Sequence, residues 1–329
     1  MKILILTDEE IRTLLPMEVC VELMAGALAS LARGEVHQPL RTIVRPAAAA
    51  GIMGLMPAYR AGPCRPVYGL KTIGVFPGNP ARGLDAHQGS VMLFDGETGR
   101  TLALMNASAI TAIRTAAVSG VATRLLSRAE AGDLAILGSG VQARSHLAAM
   151  ACVRRLRRVR VASRSPEQAR RLASEAAGLH GCPVEAVANA EAALRGADLV
   201  VTATSAAEPV VERAWIAPGA HLNAVGASTP AARELDAATM AAARLFVDRR
   251  ESTLAEAGDY LRAVAEGAIG PDHIQAEIGE VLVGMHPGRR SADEITVFKS
   301  VGLAVEDLAA AEFLYNEARE RSVGSWAAF

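Results

Sequence analysis

The sequence predicts an α/β protein: a doubly wound parallel sheet joined to a second, α+β domain. Three observations carry the prediction. Residues 133–146 read as a short buried strand, a glycine-rich turn and the start of a helix. From Asp133 onward, apolar runs of strand length alternate with helix-period stretches, the pattern of a parallel sheet with crossover helices. The chain has 329 residues, enough for two domains and a sizeable core.

The turn is the stretch around which the rest is organised. After the apolar run 134–137, Gly138, Gly140 and Ala143 follow at the spacing G-x-G-x-x-A. Gly138 permits a tight turn, and Gly140 lets the backbone approach a pyrophosphate with no Cβ in the way. Ala143 keeps the following helix, to about residue 151, close to the sheet. The free N–H groups and positive end of that helix then face phosphates. In a chain with this alternation, the stretch reads as a Rossmann-type dinucleotide-binding turn.

The remaining elements follow in order. Thr7 with Glu10 makes a capping box for a short first helix. Pro16 opens a longer one, with Val19, Leu23, Ala27 and Leu31 at helical spacing and Gly34 as its stop. Residues 41–45, 52–56, 68–75 and 90–94 are strand-like runs punctuated by glycine and proline, and 95–99 is a hairpin turn into 101–105. This half reads as a mostly antiparallel sheet with helices. A helix over 111–126 connects it to the alternating half, with strands at 133–137, 159–162, 199–203, 221–225 and 245–247. Ser165 caps a helix over 166–177. Beyond Gly270 the pattern loosens to a strand at 295–299 and a periodic helix over 305–320, which can pack back on the first half. The expected domains are therefore 1–112, with 304–329 packing back on it, and 113–303, for the dinucleotide.

Composition excludes several partners. Hydrophobic residues are 51% of the chain, much of it alanine, which suits a helix-rich, closely packed interior. Aromatics are only 4% and net charge is −1, so neither a nucleic acid nor a membrane partner is expected. Cys20, Cys64, Cys152 and Cys182 are widely separated and match no metal spacing, which suits a reduced, intracellular protein. The apolar run 3–6 is too short for a signal peptide, and the longest low-polarity stretch, 47–58, is interrupted by Gly51, Gly54 and Pro57. A soluble, cytoplasmic protein is expected. No nucleophile triad, His-x-x-x-His pair or Cys-x-x-Cys motif occurs, so no metal is expected; of the dispersed histidines only His87 stands out. The basic run Arg154, Arg155, Arg157 and Arg158 reads as a solvated helix C-terminus.

The end of the second parallel strand bears on the cofactor. An acidic residue there usually binds the 2′-hydroxyl of NAD. This chain has Ser163, Arg164 and Ser165 instead, groups suited to a 2′-phosphate through charge-assisted hydrogen bonds. NADP(H) is the expected preference, with NAD(H) possible.

A hydride-transfer enzyme also needs groups that anchor its substrate. Arg45 at a strand end, Lys71 within Tyr68-Gly69-Leu70-Lys71-Thr72-Ile73, and Arg114 at the start of the connecting helix stand out among apolar neighbours. A lysine in a buried strand costs several kcal/mol unless paired, which points to a carboxylate ligand.

The chain resembles the ornithine cyclodeaminase/μ-crystallin family along nearly its whole length. The matching pieces are Leu55-Met56-Pro57-Ala58-Tyr59, Leu70-Lys71-Thr72, Ile110-Thr111-Ala112-Ile113-Arg114-Thr115-Ala116-Ala117 and Gly138-Ser139-Gly140-Val141-Gln142-Ala143. They continue with Asn223-Ala224-Val225-Gly226, Arg233-Glu234-Leu235-Asp236 and Thr296-Val297-Phe298-Lys299-Ser300-Val301-Gly302. The resemblance implies a homodimer of two-domain subunits. It implies that Arg45, Lys71 and Arg114 hold a substrate carboxylate, with Lys71 near the reacting carbon and Met56 in the same site. Thr115, Gly140, Val141 and Gln142 would touch the pyrophosphate. Thr202, Ala203, Thr204 and Val225 would lie along the nicotinamide riboside.

One departure separates branches of the family. Cyclodeaminases and related amino-acid dehydrogenases resemble one another in an aspartate two residues after the Val-Gly pair, where this chain has Ser228, as the μ-crystallin-like ketimine reductases do. Oxidising an ammonium substrate requires a base, which a carboxylate can supply and a serine hydroxyl cannot. A cyclic imine, by contrast, can arrive already protonated. The expectation is therefore reduction of small cyclic ketimine carboxylates, Δ1-pyrroline-2-carboxylate or Δ1-piperideine-2-carboxylate, to proline or pipecolate. Lys71 would relay the imine proton and Ser228 would hydrogen-bond the ring nitrogen. A cyclodeaminase or amino-acid dehydrogenase on the same scaffold, and a non-catalytic NADPH or small-ligand binding protein, stand as alternatives.

Overall fold

The computed structural model describes residues 2–61 and 65–329. Cys64 lies outside the described residues; Cys20, Cys152 and Cys182 form no disulfide. The chain divides into two compact units, Met1–Arg114 with Leu303–Phe329, and Thr115–Gly302.

The first unit opens with β1 (Lys2–Leu6), α1 (Asp8–Leu14) and α2 (Met17–Ala32). Thr7 and Glu10 form the expected reciprocal cap on α1. The face of α2 differs from expectation: Cys20, Met24, Leu28 and Leu31 are buried, while Val19 is 38% exposed. A strict four-residue spacing drifts around a 3.6-residue helix, so the expected stripe starts off the buried face at Val19 and reaches it at Ala27 and Leu31, which are buried. Four antiparallel neighbours follow, β4 (Ile52–Arg60), β5 (Val67–Val75), β6 (His87–Asp95) and β7 (Thr101–Asn106), with β2 (Val36–His37) and β3 (Thr42–Val44) paired to β4. In the β6–β7 turn, Asp95 accepts the Glu97 and Thr98 amides at 3.1 and 2.9 Å.

Burial alternates along these strands. Met56, Ala58, Val67, Lys71, Val91, Leu93, Ala103 and Met105 share the covered face. The first strand was not expected; β1 extends the sheet in parallel beside β7. The connecting helix α3 (Ala107–Leu126) starts earlier than predicted because Asn106 Oδ1 accepts the Ala109 amide at 3.0 Å. By itself α3, not 47–58, is long and apolar enough to cross a bilayer, but 83% of its apolar window is buried inside the protein.

The second unit contains β8 (Asp133–Leu137), α4 (Val141–Val153), β9 (Arg158–Ala162), α5 (Pro166–Ala176), β10 (Val184–Ala186), α6 (Ala190–Leu194), β11 (Leu199–Thr202) and β12 (His221–Ala224). It continues with α7 (Ala237–Ala242), β13 (Ala243–Val247), α8 (Arg250–Glu256), α9 (Gly258–Ala265), β14 (Ile274–Glu277), α10 (Ile278–Leu282) and β15 (Ile295–Lys299). All eight strands are parallel, in the order β10-β9-β8-β11-β12-β15-β13-β14. The strand order reverses between β8 and β11, the switch point where ligands of open α/β sheets bind. The basic run is solvated at Arg155 and Arg158, while Arg154 and Arg157 also make structural contacts. Arg154 donates to the Thr123, Arg124 and Ser127 carbonyls, satisfying the end of α3, and Arg157 pairs with Asp133 and Asp198.

The chain then returns to the first unit with α11 (Ala304–Arg321) and β16 (Ser325–Ala328), the latter antiparallel to β1. Helix α11 lies against the covered face of the first sheet so closely that a Cβ on Gly69 would come within 2.8 Å of Leu308.

Candidate active site

In the second unit the glycine turn lies at the switch point. Gly138 adopts φ +118, and a Cβ there would stand 2.4 Å from the Ala203 carbonyl oxygen. The β8–α4 turn can pass β11 this closely only with glycine. Gly140 caps α4 with no side-chain hydrogen bond, and a Cβ on it would meet nothing within 4 Å. Open space therefore faces bare first-turn amides, and the residues fit a dinucleotide pyrophosphate. Val141 is exposed, Gln142 half-buried and Thr115 buried in α3. At the end of β9 the Ser163 hydroxyl lies 2.9 Å from that of Ser139, Arg164 is exposed, and Ser165 caps α5 through the Gln168 amide.

The loops after β11 and β12 are held by a carboxylate the sequence reading assigned no role. Glu234 Oε1 accepts the Thr204 amide and hydroxyl at 2.7 and 2.8 Å, and Oε2 accepts the Thr202 hydroxyl at 2.8 Å and the Gly226 amide at 2.7 Å. The threonine hydroxyls are thus engaged inward, and what this segment presents outward is backbone and Ala203. Burial pushes the Glu234 carboxyl above its usual range, opposed by Lys299. Asp259 accepts the Glu234 and Leu235 amides at 2.7 and 2.9 Å and pairs with Lys299 at 2.9 Å, both side chains fully enclosed. Val225 is buried, and Ser228 is half-buried with its amide on the Gly226 carbonyl at 3.2 Å.

In the first unit two of the three expected cations come together. Lys71, on the covered face of β5 opposite Met56 in β4, places Nζ 2.7 Å from Asp307 Oδ2. Arg114 on α3 donates from Nε to Asp307 Oδ1 at 3.0 Å and from Nη1 to Glu306. All four side chains are buried. Burial and the neighbouring Arg114 bring the Lys71 pKa down to about 8, against the pull of Asp307. For Arg114 burial works against the charge, but Asp307 and Glu306 prevail and hold its pKa above the ordinary value. Arg45 follows β3, is exposed, and stands outside this group.

The carboxylate partner inferred for Lys71 is therefore supplied by the chain itself, and sequence reasoning missed it. Glu306 and Asp307 lie in the first turn of α11, whose amides gain a cap from Gln38 Oε1 on the Val305 N–H at 2.9 Å. A signal was present. The chain has only three lysines, Lys2, Lys71 and Lys299, among 34 basic residues, and two of the three are buried in ion pairs.

Comparison with known proteins agrees with this layout. Residues 1–322 match the ornithine cyclodeaminase/mu-crystallin family. The chain is 42% identical to ketimine reductase mu-crystallin of Mus musculus over 296 residues, covering 89% of this chain and 90% of that one. Among solved structures it is similar to Thermococcus litoralis Δ(1)-pyrroline-2-carboxylate reductase in complex with NADH and L-proline, with TM-score 0.95, 38% identity and coverage of 98% and 99% of the two chains. It is also similar to an archaeal alanine dehydrogenase dimer with bound NAD, with TM-score 0.94, 34% identity and full coverage of both chains, 100% each. On the strength of these matches and of the two sites described, the chain belongs to the ornithine cyclodeaminase/mu-crystallin family.

Proposed function

We propose that the chain reduces small cyclic ketimine carboxylates, Δ1-pyrroline-2-carboxylate and Δ1-piperideine-2-carboxylate, to L-proline and L-pipecolate. It is a nicotinamide-dependent oxidoreductase acting on C=N groups. The observation that carries the substrate reading is a lysine enclosed beside an arginine, its pKa brought to about 8, so that an ammonium is present at neutral pH yet able to release its proton. The similarity to a reductase solved with NADH and L-proline supports the same substrate class.

Bound dinucleotide supplies the hydride for the imine carbon. Gly138, Gly140, Val141, Gln142 and Thr115 hold its pyrophosphate, and the 202–204 segment and Val225 hold the nicotinamide riboside. Ser163, Arg164 and Ser165 favour NADP(H). Arg114 and Lys71 orient the substrate carboxylate, with Met56 in the same site. Because Glu306 and Asp307 already balance these two cations, Arg45 supplies the charge that answers the substrate anion. Lys71 gives a proton to the imine nitrogen and Ser228 hydrogen-bonds it. Ser228 provides no base for an ammonium substrate, which favours reduction over cyclodeamination.

A homodimer belongs to this reading. The outer face of the first sheet exposes Val44, Met53 and Tyr68, each more than 40% accessible, an apolar surface suited to a second copy. The cytoplasm, with its reduced nicotinamide pool, is the expected setting. The deciding assay follows NADPH and NADH oxidation with both cyclic imines, beside ornithine plus NAD. Imine-dependent oxidation without ammonia is expected. Ammonia release from ornithine with catalytic NAD would instead make the chain a cyclodeaminase.

A further inference from the structure

We propose that Asp307 is a positioning residue of the reduction: it fixes Lys71 and Arg114 relative to one another and presents Lys71 to the imine as an ammonium. The inference rests on the reading of Lys71 as the proton source.

One carboxylate serves both cations, Oδ2 on Lys71 Nζ at 2.7 Å and Oδ1 on Arg114 Nε at 3.0 Å. Asp307 is 1% exposed, so no water competes for either oxygen, and it stands in the first turn of an 18-residue helix, whose dipole attracts negative charge. Glu306 is not equivalent, since it reaches Arg114. The charged groups that face Lys71 are Arg114 from α3, Asp307 from α11 and Arg41 ahead of β3; His87 on β6 also faces it, its pKa pushed down by burial and by Lys71 itself. Of these, Asp307 is the one carboxylate, and without it a buried ammonium would stand among cations. Cys20 on α2, near Arg114 and Glu306, stays a neutral thiol because burial pushes its pKa up to about 12.

In the step itself the imine carbon gains a hydride, and with it two electrons, from the bound dinucleotide. The C=N π bond becomes the new N–H bond, and the proton leaves Lys71 Nζ. The Lys71 amine then takes a proton from solvent.

The scarcity of lysine makes the test direct. Side-chain NMR of the full chain carrying 13C at lysine Cε has three signals, of which Lys2 is the exposed reference. In the wild type the Lys71 signal titrates near pH 8, and kcat/KM for the imine falls over the same range. In Asp307→Asn both midpoints move down by roughly one pH unit or more, whereas Glu306→Gln leaves the Lys71 midpoint in place. An unmoved Lys71 signal in Asp307→Asn overturns this inference and leaves the proton-source reading standing. A signal that moves while the rate midpoint does not overturns both. Should Asp307→Asn fail to fold, Asp307→Glu keeps the charge and displaces it by one methylene. Its midpoint stays within about half a unit while kcat drops roughly tenfold at similar KM, and an undiminished kcat there overturns the positioning role.

Discussion

Glu234 receives the Gly226 amide at 2.7 Å, and so ties the loop after β12 to the end of β11, where its other oxygen holds Thr204. No side chain larger than hydrogen fits between them: a Cβ on Gly226 would lie 2.5 Å from Glu234 and 2.2 Å from the Thr204 carbonyl oxygen. The two loops proposed to hold the nicotinamide riboside are therefore one rigid unit. In Glu234→Gln an NH₂ replaces an acceptor oxygen and must confront an N–H group. We expect a stability loss of about 2–3 kcal/mol and weaker dinucleotide binding by roughly tenfold. Chemical denaturation and NADH fluorescence titration check the two effects separately; unchanged dinucleotide binding would detach Glu234 from the cofactor site.

The two glycines of the turn do different work, and alanine separates them. Gly138 sits at φ +118 against the Ala203 carbonyl, so Gly138→Ala strains the backbone and displaces β11. It should lower stability by about 2 kcal/mol or more. Gly140 has φ −80 and open space around it, so Gly140→Ala should fold with unchanged stability. Its cost should fall on the ligand, because the new methyl occupies the volume of the pyrophosphate. Loss of dinucleotide affinity without loss of melting temperature identifies it. Full affinity in Gly140→Ala would mean that the phosphates lie elsewhere.

Much of this site was legible because certain residues leave a mark wherever they act. Gly138 is required by backbone geometry, Gly140 by the open approach it leaves at a helix start, Ser165 by an exposed helix start, and Lys71 by the cost of charge in an apolar strand. Glu306 and Asp307 left no such mark, since two acidic residues in the first turn of a helix are what the helix dipole favours anyway. Only the fold shows that they point at Lys71 and Arg114. Glu234 and Lys299 lay within stretches noticed for their resemblance, but their partners are distant in sequence, Asp259 among them. The short strands β10 and β14 were missed for a different reason, because three or four residues carry too little periodicity. Arg45 shows the opposite case: a strand end beside apolar residues reads as enclosed, yet the side chain is exposed.

Two buried histidines make the second unit acid-sensitive. His146 bonds Ser119 and the Gln142 carbonyl, and His221 bonds Thr296. Burial holds His146 down to about 4 and, with help from Arg289, His221 down to about 3. Both are neutral in the folded chain, whereas unfolded histidine takes a proton near pH 6.5. Between these values the unfolded state binds more protons, so stability is fully present above about pH 6.5 and is lost as pH falls. The slope is up to ~1.4 kcal/mol per pH unit for each histidine. Denaturation midpoints from pH 7 to 4.5 should show it, and His146→Gln should flatten it by about half. An unchanged slope in that variant would mean that His146 titrates alike in both states.

Lys71 sets the opposite pH dependence, on rate. Reduction needs the ammonium, which is present below its pKa and lost as pH rises through about 8. The proline-forming rate should therefore fall above that pH. Lys71→Ala removes the proton source and should lower kcat by about 10³-fold or more, within the range of general acid catalysis. It also leaves Asp307 buried against Arg114 alone, so some stability is lost with it. Dinucleotide binding should survive, because that site is built by other residues. Full turnover in Lys71→Ala would remove it from the mechanism.

Cofactor preference turns on the end of β9. Arg164 is exposed there, between a hydroxyl that meets Ser139 and one that caps α5. No carboxylate stands at 162–165 to bind a ribose 2′-hydroxyl or to repel a 2′-phosphate. A guanidinium gains two charge-assisted bonds from a phosphate and little from a hydroxyl, so its removal should act on one cofactor only. Arg164→Ala should raise KM for NADPH by roughly tenfold and leave NADH nearly unchanged. Introducing a carboxylate by Ser163→Asp should reverse the preference by repelling the phosphate. If wild type uses NADH as well as NADPH, or if Arg164→Ala weakens both equally, the guanidinium binds the part the two cofactors share. Either result would overturn the NADP(H) preference.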